Sequence, residues 1–164
     1  MKIISVVGWH NAGKTVVVER LVIGLKALGL KVATIKHTRA DISVDTPGTD
    51  TWRFDQAGSD LVIIAGGPRT VLMERRDQEE SLESLLQRVP QHIDLVITEG
   101  YKREPYPKIE VRRAVVGGEP ISAPSELVAI VSDDEQPNAG AVPVIGFEDT
   151  QALIQVLQRW GIVS

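Results

Sequence analysis

A mainly parallel β-sheet in a three-layer α/β arrangement, with helices on both faces, is the fold class this sequence predicts. Three observations predict it. Short β-branched runs such as KIISVV at 2–7 have no polar alternation, as expected of strands buried on both sides. These runs alternate with amphipathic segments of helical period. The first run leads through a glycine-rich turn directly into the first helical segment.

The elements follow in order. After the strand at 2–7, the stretch 14–28 places Val18, Leu21, Val22, Leu25 and Leu28 at spacings of three and four, and Gly29 reads as its stop. LKVATIKH at 30–37 is a second strand. Pro47-Gly48 marks a turn, and Thr49 or Asp50 caps a short helix through Gln56. DLVIIA and TVLME are two strands joined by a GGPR turn. Residues 78–89 form a surface helix with Leu82, Leu85 and Leu86 inward, and HIDLVITEG holds a buried strand. KIEVRR at 108–113 alternates apolar and charged residues, which predicts an edge strand. LVAIVS and VPVIGF are further strands, and a last helix spans 150–160 with Leu153, Val156, Leu157 and Trp160 inward. With 164 residues and no linker or repeat, one domain over 1–164 is expected.

The chain is 43% hydrophobic with a formal net charge of -4, which disfavours nucleic acid and anionic membrane as partners. It has no cysteine, which removes disulfides, thiolate metal sites and thiol catalysis. The opening lacks a secretory pattern and no apolar run reaches the roughly 20 residues of a membrane span, so a cytoplasmic protein is expected.

The turn after the first strand, GWHNAGKT, carries the chemistry. Gly8, Gly13, Lys14 and Thr15 match G-x-x-x-x-G-K-[ST], the P-loop of nucleoside triphosphatases. Glycines allow successive N–H groups to face one concavity, and the helix that follows offers its positive end to phosphate. Asn11, Ala12 and Val16 complete the cradle; Lys14 is a mobile charge for the β- and γ-phosphates, and the Thr15 hydroxyl suits Mg²⁺. Ligands of open parallel sheets sit beyond the carboxyl ends of the strands. Glu99 ends its strand and is therefore the acid expected beside the metal or the attacking water, whereas Asp94 begins the same strand on the far rim. In SVDTPGTDT, Asp45, ahead of Asp50, is a second metal-side acid or simply a turn former. Asp133, with Asp134 as its competitor, follows LVAIVS; a carboxylate there can accept guanine N1–H and N2–H together, a pair that adenine lacks.

Taken in order, the P-loop, ATIKHT, DTPGTDTWRFDQAG, LVITEGYK and KIEVRR resemble the molybdopterin-guanine dinucleotide biosynthesis protein B family, MobB, through most of the chain. The resemblance implies a homodimeric GTP-binding protein that assists the guanylyltransferase joining GMP to molybdopterin, with weak GTP hydrolysis of its own. It implies that Gly13, Lys14 and Thr15 bind phosphates and Mg²⁺, that Asp45 and Glu99 are the acids near the metal, and that Tyr101 and Lys102 line the same cleft. The chain departs from the family pattern at Arg39 and Ala40, where histidines are common, and at Thr49, where Lys is common. The phosphate loop alone also admits a small-molecule kinase or ligase that transfers a γ-phosphate to a metabolite.

Overall fold

In the computed structural model, which describes residues 1–38, 40, 42, 44–134 and 139–163, strand β1 (Lys2–Gly8) lies at the middle of a six-stranded sheet. The other strands of that sheet are β2 (Val32–Lys36), β5 (Leu95–Glu99), β6 (Lys108–Arg112), β7 (Leu127–Ser132) and β8 (Val144–Ile145). Their spatial order is β2-β5-β1-β6-β7-β8. Every pairing is parallel, so all carboxyl ends share one rim. The predicted parallel sheet is therefore present. The sheet belongs to one of two compact units, Met1–His37 with Val89–Ser164; the second is Thr38–Arg88.

Helices α1 (Lys14–Ala27) and α4 (Thr150–Arg159) pack together on one face of the sheet. Ile4, Val6, Ile97, Ile109 and Val111 of the strands meet Val17, Leu21 and Leu25 of α1 and Leu153 and Leu157 of α4 in one core. Burying each such side chain contributes roughly 1.5–3 kcal/mol. Helix α1 ends where expected: Gly29 adopts φ 82°, and the N–H groups of Gly29 and Leu30 return to the carbonyls of Lys26 and Leu25. Leu28 and Trp160, read as inward, are instead exposed. Each is the residue at which its helix stops, so the helical period no longer sets its direction.

The predicted edge strand KIEVRR is an interior strand, between β1 and β7. Its alternation is real, but the polar side is buried: Lys108 is 0% and Glu110 1% exposed. Loops close over that side. Lys108 Nζ lies 2.9 Å from the Glu104 carbonyl oxygen and 2.9 Å from Glu126 Oε1. That ammonium, helped by the Ala123 N–H, holds the Glu126 carboxyl below its usual range. The Glu110 carboxylate accepts from Arg112 Nε and from the N–H groups of Ile121 and Ser122. Burial of charge is tolerated where partners are this complete.

In the second unit, β3 (Leu61–Gly66) and β4 (Arg69–Glu74) form an antiparallel hairpin, turned at Gly67-Pro68 with Gly67 at φ 55°. It is accompanied by α2 (Asp50–Gln56) and α3 (Leu82–Gln87), the latter shorter than the predicted 78–89. Thr49 caps α2 by accepting from Trp52 N, which gives this departure from the family pattern a local purpose. Arg39, the site of another departure, lies outside the described residues.

Candidate functional site

The turn from β1 into α1 is shaped by contacts that exclude side chains at its glycines. A Cβ on Gly8 would lie 2.5 Å from the Val111 carbonyl oxygen, because β1 and β6 pair there. Gly13 adopts φ 97°, with the Phe147 ring against its open side. Asn11 adopts φ 61°, a conformation that Asn tolerates better than most residues. Gly13 is the N-cap of α1, and among the described residues no side chain caps that helix, so its first N–H groups lack a side-chain acceptor and suit an anion. Ala12 is buried and its N–H is committed to the Trp9 carbonyl, while Val16 is exposed on the first turn.

Lys14 folds back over the loop, with Nζ 3.1 Å from the Gly8 carbonyl oxygen and 2.8 Å from that of Trp9. Partial burial lowers its pKa; the charge of Glu99 opposes this and that of Lys36 adds to it. The Thr15 hydroxyl lies 3.2 and 3.1 Å from the two carboxylate oxygens of Glu99. Lys36 Nζ lies 3.2 Å from Glu99 Oε1. β1, β2 and β5 are neighbours, so their carboxyl ends deliver Lys14, Thr15, Lys36 and Glu99 to one place. Asp94 lies at the opposite end of β5, accepting from Lys31 N.

Thr15 and Glu99 offer hard oxygen donors side by side, the donor set that Mg²⁺ takes when it keeps most of its waters and binds with a phosphate. Among the described residues, no group of three or more His, Cys, Asp or Glu side chains makes a ready metal cage. Asp45 belongs to the second unit. There it accepts from the Thr51 hydroxyl and from Thr46 N, and these bonds, the Thr51 one first, hold its carboxyl below the usual range.

On the other flank of the loop, Asp133 Oδ1 accepts from Ala114 N at 2.8 Å, and Oδ2 lies 3.7 Å from Arg113 Nε. Part of the carboxylate expected to read a base is thus engaged by the loop leaving β6. Sequence reasoning missed Phe147, whose ring stacks on Arg113 at 4.5 Å. The available signal was its place just beyond a strand end on the loaded rim. Behind the loop is a cavity of about 290 Å³ lined by residues including Trp9, Ala12, Arg113 and Asp134. The Trp9 indole donates to the Glu119 carbonyl, and Lys102 Nζ lies 5.9 Å from its ring. Tyr101, at φ 48°, rests 5.1 Å from the His37 ring.

A parallel sheet with a glycine-bent phosphate loop, its lysine and its threonine defines a P-loop type α/β protein. The family model of molybdopterin guanine dinucleotide synthesis protein B, MobB, matches residues 3–133, and the chain belongs to that family. The molybdopterin-guanine dinucleotide biosynthesis adapter protein of Escherichia coli is 31% identical over 96% of this chain and 92% of its own length. The protein of the same name from Haemophilus influenzae is 38% identical over 68% of this chain; the match spans 63% of that relative's length. The crystal structure of Bacillus subtilis MobB superposes with a TM-score of 0.75 at 24% identity, covering 100% of this chain and 99% of that one, which shows the shared fold.

Proposed function

We propose that this protein binds GTP with Mg²⁺ in the phosphate loop and, so loaded, assists a guanylyltransferase that attaches GMP to molybdopterin. The observation that carries the reading is the convergence of Lys14, Thr15 and Glu99 at the mouth of an uncapped helix. The names of the relatives supply the pathway.

In this reading the α1 N–H groups orient the β-phosphate, and Lys14 exchanges the carbonyls of Gly8 and Trp9 for phosphate oxygens. Thr15 and Glu99 would hold the metal, and Mg²⁺ there would supply positive charge to the triphosphate. Glu99 is engaged by the Thr15 hydroxyl and by Lys36, so in this reading it positions groups on the metal side. In this reading the protein's own hydrolysis is slow, and it acts as a cytoplasmic accessory that presents or senses GTP. No helix among the described residues is long and apolar enough to cross a membrane.

The test is a guanylyl-transfer assay with the cognate transferase and molybdopterin. Addition of the GTP-loaded chain raises transfer, Glu99→Gln weakens its Mg²⁺-dependent GTP binding about tenfold, and intrinsic turnover stays slow. Rapid turnover that depends on one small metabolite, with no effect on transfer, would establish the kinase reading instead.

A homodimer completes the proposal. Leu61, Ile63 and Leu72 share one exposed face of the hairpin, with Ile63 directly opposite Leu72. Each strand of that two-stranded sheet also keeps one edge unpaired within it. A second copy covering this face is expected. Sedimentation should give a dimer for the wild type and a monomer for Ile63→Glu; a wild-type monomer at micromolar concentration rules the dimer out.

A further inference from the structure

We infer that Arg113, backed by Phe147, is the platform on which the base of the bound nucleotide stacks. The inference rests on the phosphate-loop reading above and extends it to the nucleoside end.

The rim of the sheet has a direction. On the β5 and β2 side of the loop, Glu99 and Lys36 occupy the strand ends, which places the metal and the γ-phosphate there. The nucleoside must then leave the loop over β6, β7 and β8. Those neighbouring parallel strands deliver Arg113, Asp133 and Phe147 just beyond their carboxyl ends.

The three residues form one assembly against the loop. The guanidinium carbon of Arg113 sits 4.5 Å from the centre of the Phe147 ring. A Cβ on Gly13 would be 3.0 Å from Phe147 Cε1 and 3.4 Å from an Arg113 terminal nitrogen, so both side chains touch the loop at its last glycine. Asp133 Oδ2, 3.7 Å from Arg113 Nε, restrains the guanidinium from the side. Among the described residues the buried Arg113 Nε has no hydrogen-bond partner, so stacking and charge hold the group there.

The Arg113 side chain remains 37% exposed, leaving surface for a flat ligand. A guanidinium is planar and weakly hydrated, and it stacks on π-systems as an ammonium cannot. A purine resting on it brings its edge towards the Asp133 carboxylate, whose Oδ1 already accepts from Ala114 N. Stacking of this kind serves any base, so Arg113 supplies affinity for the nucleoside and leaves the choice of base to edge contacts.

The test compares GTP–Mg²⁺ with inorganic tripolyphosphate–Mg²⁺ by calorimetric titration of the full chain. Arg113→Lys keeps the charge and loses the plane: GTP affinity falls roughly tenfold, and tripolyphosphate affinity is unchanged. Phe147→Leu, a second and milder change, lowers GTP affinity alone. GTP affinity that survives both substitutions overturns the inference. So does an equal fall for both ligands, since Arg113 then serves phosphate only. Failure of the phosphate-loop reading looks different: the wild type binds neither ligand, or Lys14→Ala binds both as well as the wild type does, and the platform falls with it.

Discussion

Lys14→Ala will lower affinity for GTP by about a hundredfold or more while leaving the far-UV circular dichroism unchanged. The loss corresponds to roughly 2.7 kcal/mol, within the range for truncating one partner of a buried, hydrogen-bonded charge contact. In the free protein the ammonium is held by two backbone carbonyls, Gly8 and Trp9. Removing it leaves acceptors that solvent can reach, so the fold loses little. In the complex the same truncation leaves phosphate charge facing the loop with no cation on the flexible side. Partial burial already depresses the Lys14 pKa, so part of its hydration is given up before ligand arrives. Calorimetric titration of GTP with Mg²⁺ measures the effect. Affinity within threefold of wild type would remove Lys14 from the site.

Glu110→Ala is expected to destabilise the fold by about 3–5 kcal/mol, from roughly 1–3 kcal/mol for each backbone N–H group that loses its acceptor, together with the charge-assisted bond from Arg112. The carboxylate receives Arg112 Nε and two backbone N–H groups, those of Ile121 and Ser122. Alanine would remove the acceptor of two backbone N–H groups in the loop that follows β6, those of Ile121 and Ser122. The midpoint of thermal unfolding should drop by roughly 10 °C for a chain of this size. A change below about 1 kcal/mol in urea unfolding would mean that water replaces the carboxylate and that this polar layer is not structural.

The contrast between Lys14 and Glu110 explains what was legible in the sequence. The phosphate loop is a local pattern whose meaning lies within Gly8–Thr15, and the chain's neighbours in space add little to it. Glu99 was legible because a strand end in a parallel sheet has one location, the ligand rim. Glu110 was not. Its partners include backbone groups 11 and 12 residues further on, without a side-chain signature, so the alternation in KIEVRR reads as half exposed. Phe147 was hidden for a related reason: its partner Arg113 follows β6, which β7 separates from β8 in the sheet, so the pairing does not show in its own stretch of chain. Leu28 and Trp160 depart from the expected burial because each is the last residue before the glycine that turns the backbone, Gly29 at φ 82° and Gly161 at φ 65°, where the helical period already ends. Asp45 takes part in turn chemistry, one of its two expected roles, since Thr46 N and Thr51 satisfy it within its own segment.

The interior position of β6, in place of the predicted edge, also bears on function. The strand fixes Val111 against Gly8 and carries Arg113 to the rim, so it supports both the bend of the loop and the group beside it. Substitutions in β6 should therefore affect stability and ligand affinity together, unlike Lys14→Ala.

Crystallisation with GTP and Mg²⁺ tests the phosphate-loop site most directly. Triphosphate density is expected against the N–H groups from Gly13 to Val16, with Lys14 turned from the Gly8 and Trp9 carbonyls onto phosphate and the cation beside Thr15 and Glu99. Ordered nucleotide bound elsewhere on the chain, with Lys14 still on those carbonyls, would contradict it.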